Sequence, residues 1–148
     1  MSGDMGGNGS DGRVFDEIIE FLRQMEWPTE VLSAKVVRTF YSGEFGTSEV
    51  MIYLGSLDIC MVIDPVVDRF DQHWGSAVVR LIGAMSQEIH HVGIGIDDDG
   101  DVFVKVNLPV AHLNLERFHC LLLGLCQVAE NMLLPVLQAN AFDHLSTT

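Results

Sequence analysis

Basic residues are scarce in this chain: 8 Lys and Arg stand against 21 Asp and Glu, the formal net charge is −13, and no stretch gathers the few bases into a stripe. Binding a phosphate backbone needs concentrated positive charge, because neutralising phosphates and releasing counterions supplies the affinity. Nucleic acid and anionic membrane surfaces are therefore not expected as partners. Long apolar runs are missing too. The stretch from Leu121 to Leu125 falls far short of the roughly 20 residues needed to span a bilayer. The opening Met1-Ser2-Gly3-Asp4 has neither the basic residues nor the apolar run of a signal peptide. Both features make the cytoplasm the expected location.

Cysteine is rare and unpaired in pattern. Cys60, Cys120 and Cys126 form an odd set with no C-x-x-C spacing. On a helix, Cys120 and Cys126 would stand about 120° apart around the axis, which does not suit a bridge. Free, buried thiols in a reducing compartment are expected. Catalytic signatures are lacking as well: there is no G-x-S-x-G, no P-loop and no G-x-G-x-x-G. Cys120 and His119 are neighbours in sequence, but on a helix their side chains diverge by about 100°. Gly93-Ile94-Gly95 reads as part of a strand, where glycine permits close approach of another backbone or a bulky side chain. No enzyme activity and no cofactor are expected.

Two patterns invite a metal reading, and both fail on spacing or context. The run Asp97-Asp98-Asp99-Gly100-Asp101 resembles part of an EF-hand loop. With Gly100 at the loop's sixth position, the first and twelfth fall on Gly95 and Val106, neither of which supplies a side-chain oxygen. Asp-Gly is also common hairpin-turn chemistry. Glu88 with His91, and Glu116 with His119, have the Glu-x-x-His spacing of di-iron bundles. Glu88 to His91 crosses from a helix end into a strand, however, and Glu116 and His119 belong to the polar side of the last helix.

What is present fits one folded domain. A chain of 148 residues with 48% hydrophobic and 20% charged residues is long enough to bury roughly 68–70% of its unfolded surface around one core. Residues 1–12 are rich in Gly, Ser, Asp and Asn and are expected as a flexible tail, with residues 140–148 as a C-terminal tail. Val14, Ile18, Phe21, Leu22 and Met25 recur at helical spacing. Asp11 is the expected N-cap, Asp16, Glu17 and Glu20 suit the positive end of the helix dipole, and Trp27-Pro28 is the stop. Three strands should follow. Ala34 to Tyr41 and Glu49 to Leu54 form a hairpin around Ser42 to Gly46, and Leu57 to Val67 is apolar on both faces, as in a strand covered on both sides.

His73 to Ile89 is expected as a second helix, with Trp74, Val78, Leu81 and Met85 in one stripe and Val79 and Ile82 beside it. Val92, Ile94 and Ile96 mark a fourth strand, which the acidic turn joins to a fifth where Val102, Val104, Val106 and Leu108 alternate with Phe103, Lys105 and Asn107. Asn114 should cap a last helix whose Leu115, Phe118, Leu122, Leu125, Ala129, Met132 and Val136 hold three-four spacing for about six turns. Leu123 and Leu134 interrupt its opposite side, which carries Glu116, Gln127, Glu130 and Gln138. Pro135 should kink or fray its end. The surplus apolar residues Val79, Ile82, Leu123 and Leu134 are the candidates for a homodimer seam or a partner groove.

The order helix, three strands, helix, two strands, helix resembles the type III secretion chaperone fold, and within it the YbjN family. The resemblance covers about residues 13–139. It is carried by the hairpin from Gly93 to Leu108, the Asn107-Leu108-Pro109 exit, and the ending Ala129-Glu130-Asn131-Met132-Leu133-Leu134-Pro135-Val136-Leu137. It implies an α+β domain, with an antiparallel sheet packed by helices, that is usually dimeric, binds other proteins and has no established catalytic residues. In secretion chaperones the second helix often forms the dimer seam, which would put Val78, Val79 and Ile82 there. The expected function is a non-enzymatic protein-binding domain, a chaperone-like or regulatory adaptor. The alternative is a small-molecule or metal-binding sensor using the space between sheet and last helix, with His91 or His119 as polar groups.

Overall fold

Period-two alternation builds a six-stranded antiparallel sheet in the computed structural model, which describes residues 2–43, 46–67, 92–96, 98 and 102–133. The strands are β1 (Thr29–Ser33), β2 (Val36–Gly43), β3 (Gly46–Leu54), β4 (Asp58–Val67), β5 (Val92–Ile96) and β6 (Val102–Pro109), in the spatial order β1-β2-β3-β4-β6-β5. Helix α1 (Ser2–Gln24) precedes the sheet. A single 3-10 turn (Val110–His112) and helix α2 (Leu115–Gln127), which runs into a π-helical segment (Val128–Leu133), follow it. The architecture is the expected α+β class.

Both expected hairpins form. β2 and β3 pair from Val36 opposite Tyr53 to Gly43 opposite Gly46, and β5 and β6 pair from Val92 opposite Val106 to Ile96 opposite Val102. The register lines up one row of side chains across five strands, from Val37 through Ile52, Met61 and Val106 to Val92. All five are buried, as are Leu54, Ile59 and Leu108 in a second row. On this face Val14, Ile18 and Leu22 of α1 and Phe118, Leu122 and Leu125 of α2 close the core. Phe21 and Phe118 join the two helices with ring centroids 5.7 Å apart in a tilted pair. Thr39 is a polar residue buried on this face, and its Oγ1 donates to the Pro28 carbonyl at 2.6 Å.

Several expectations need correction. Four strands precede residue 68, because Thr29–Ser33 adds β1 at the sheet edge. Every residue of β1 is exposed, so it carries no alternation to read. Ala34 and Lys35 form the turn into β2. Helix α1 starts at Ser2, so Asp11 lies inside it and is not its cap. Once the packed turns around Ile18 are formed, each further residue adds one backbone hydrogen bond without a new nucleation cost. Glu17 and Glu20 consequently lie along the helix and pair sideways with Arg13 and Arg23. Strand β4 is fully covered on one face, by burial of Ile59, Met61 and Ile63, while Cys60 and Val62 on the other are half-buried. The expected second helix and the C-terminal tail lie outside the described residues.

Candidate binding surfaces

The exit from β6 places three elements around one cavity. After Pro109 the chain makes its 3-10 turn, and Asn114 then caps α2 as expected, its Oδ1 accepting the Arg117 backbone N–H at 2.8 Å. The turn and the first helical turn bring His112 and Arg117 together: Arg117 Nη1 lies 2.9 Å from His112 Nδ1. A guanidinium only donates, so the imidazole Nδ1 is the acceptor in this contact. The cavity beside this pair has a volume of about 540 Å³ and is lined further by Asn107, Leu108, Pro109, Cys120 and Leu121. This is the space between sheet and last helix, but its polar groups are not the expected histidines. His91 lies outside the described residues, and His119 faces a different cleft.

That second cleft, about 330 Å³, opens between the end of α1, β2 and α2, where Trp27, Tyr41, His119 and Leu123 meet beside Glu26. Trp27 and Tyr41 hold their ring centroids 5.8 Å apart. Glu26 has a positive φ of 62°, the left-handed turn that ends α1 and aims the chain into Trp27-Pro28. At the sheet edge, β1 exposes Val31 and Leu32, and the β3–β4 turn exposes Leu57 at 78%. Arg38 ties this edge to the sheet by hydrogen bonds to Glu30 and Glu49 across β1, β2 and β3.

Of the expected interface residues, Leu123 is half-buried in the Trp27 cleft. Val78, Val79, Ile82 and Leu134 lie outside the described residues, as does the Glu88 and His91 pair. Glu116 and His119 are exposed on α2. Among the described residues no group of three or more His, Cys, Asp or Glu is placed to hold a metal ion. The cysteines are free, but they are not uniformly buried. Cys120 is exposed at the cavity, Cys60 is half-buried with its thiol pushed up by burial, and Cys126 is buried with its thiol pushed up to about 12. Glu130, expected on the polar side of the last helix, is 4% exposed. It follows buried Cys126 by four residues, which places it on the packed face of the helix. Arg117 and His112 escaped the sequence reading because their signal, a charged residue three positions after the N-cap and a histidine two before it, is common in capped helices.

Among the described residues no helix is long and apolar enough to cross a membrane. No family model matches the sequence. No curated protein matches it closely enough to count as a relative. Solved structures do match its fold. ExsC in the ExsC–ExsE complex has a TM-score of 0.60 at 19% identity, with 80% of this chain and 89% of that one covered. YbjN from E. coli, a candidate transcription regulator, has a TM-score of 0.58 at 14% identity, over 86% of this chain and 92% of that one. The Yersinia pestis type III secretion chaperone SycH, solved with a stable fragment of YscM2, has a TM-score of 0.51 at 9% identity, over 80% of this chain and 96% of that one. The chain thus has the α+β fold that YbjN shares with the type III secretion chaperones.

Proposed function

We propose that this protein is a non-enzymatic protein-binding domain, a chaperone-like or regulatory adaptor of the cytoplasm, that acts as a homodimer and holds an apolar segment of a partner. The observation that carries this reading is the fold shared with ExsC and SycH, each solved with a bound protein partner. The exposed apolar residues Val31 and Leu32 at the edge strand and Leu57 at the β3–β4 turn are in keeping with it, since single-copy burial leaves them in water. A net charge of −13 favours partner segments that carry basic residues beside apolar ones, and makes their association slower at high salt.

Fluorescence anisotropy with a panel of labelled peptides, apolar segments flanked by Lys or Arg, tests the reading. Saturable binding to the full chain, with an association rate that falls as salt rises, is expected. Val31→Ser with Leu32→Ser should weaken it. A panel in which no peptide binds, with a native mass of 16.4 kDa and not twice that value, would sink the proposal.

A further inference from the structure

We propose that the cavity between β6 and α2 is a binding site for an alkyl carboxylate of medium chain length, with Arg117 and His112 holding the carboxylate and Leu108, Pro109 and Leu121 enclosing the chain. This does not depend on the protein-binding reading. It begins from an imbalance of charge pairing. In a chain with 21 acidic residues, Arg13, Arg23 and Arg38 each sit against a glutamate. Arg117 faces a histidine nitrogen instead, and no described carboxylate reaches it.

The chemistry at the cavity mouth then selects the ligand. Arg117 is permanently charged and has N–H groups beyond the one directed at His112 Nδ1, and the second ring nitrogen of His112, Nε2, stands beside them as a group able to donate. A mouth of donors matches a group that only accepts. A carboxylate is such a group, and a planar guanidinium can meet both of its oxygens. The first turn of α2 adds the positive end of a helix dipole on the same side. The rest of the lining is largely apolar, with Leu108, Pro109 and Leu121 beside Asn107 and Cys120, and the volume of about 540 Å³ lies in the range of small-molecule sites. Inorganic phosphate would use the mouth and leave the apolar wall wet, whereas an alkyl carboxylate uses both.

Isothermal titration of the full chain with octanoate, and with 1-octanol as the uncharged control, is the test. Octanoate should bind at a single site with Kd on the order of 1 mM or tighter, as ligand efficiencies for so small a molecule allow. Octanol should bind at least tenfold more weakly. Arg117→Gln should cost at least tenfold in octanoate affinity, and Arg117→Lys should recover part of it. Because Arg117 is exposed, unchanged circular dichroism is expected for both variants. Cys120 on the cavity wall supplies an independent readout of place: octanoate should slow its alkylation at least threefold in the wild type and not in Arg117→Gln. Absence of saturable octanoate binding, equal affinity for octanol, indifference to Arg117→Gln, or binding that leaves Cys120 alkylation unchanged would each overturn the proposal.

Discussion

Gly43 ends β2 without a side chain because the carboxyl group of Glu130 fills the space that a Cβ would need. Glu130 is itself buried in the π segment, so its carboxyl group would have to leave a packed position to admit a methyl group. Gly43→Ala is therefore expected to destabilise the fold by about 1–3 kcal/mol, as overpacked cores do, and urea unfolding beside the wild type checks this. Gly95 serves a related purpose at the other end of the sheet. A Cβ there would stand 2.8 Å from Cζ of Phe103, its cross-strand partner, so the glycine admits the ring. That role was legible in the Gly93-Ile94-Gly95 run, whereas Gly43 gives no sign in sequence, since its neighbour comes from 87 positions away. Cys126 carries a pH dependence. Burial, with the Glu130 carboxylate adding, pushes its thiol from 9.0 to about 12. A folded pKa above the unfolded one means that this contribution to stability is complete below pH 9.0 and is lost as pH rises toward 12, because the unfolded chain ionises first. The unfolding free energy of the wild type minus that of Cys126→Ala should fall by about 2–3 kcal/mol between pH 8 and pH 11. Parallel profiles would show that the thiol ionises as readily folded as unfolded.

At the scale of elements, local signals were reliable where one face of a segment is buried. α2 begins at the residue after Asn114 because a side-chain oxygen there satisfies an otherwise orphaned N–H. Asn114→Ala should lower stability by about 0.5–2 kcal/mol, read as a drop of a few degrees in the thermal midpoint by differential scanning calorimetry. The two hairpins were equally plain, since turn residues separate runs whose buried faces fix the register. Strand β1 was not. It is held by backbone pairing to β2 and by the Arg38 bonds to Glu30, not by burial of its own side chains. The late course of the last helix also lay beyond local reading. The same three-four spacing is compatible with α and π turns, and Val128, Ala129 and Glu130 are all buried in the π segment.

For the whole molecule, the proposed homodimer makes a specific demand on the second-helix sequence. If Val78, Val79 and Ile82 form a seam, Val79→Asp combined with Ile82→Asp should yield a monomer in sedimentation equilibrium while Leu123→Asp should not. A double variant that remains dimeric would place the seam elsewhere. The α+β class, the hairpins, the capped last helix and the acidic surface follow from the order of amino acids, because each rests on composition or on neighbours within a few positions. Long-range packing alone sets which face of β4 is fully covered, that β6 inserts between β4 and β5, and that His112 and Arg117 line one cavity with the buried Leu108. These outcomes depend on contacts between segments distant in the chain, which no local periodicity encodes.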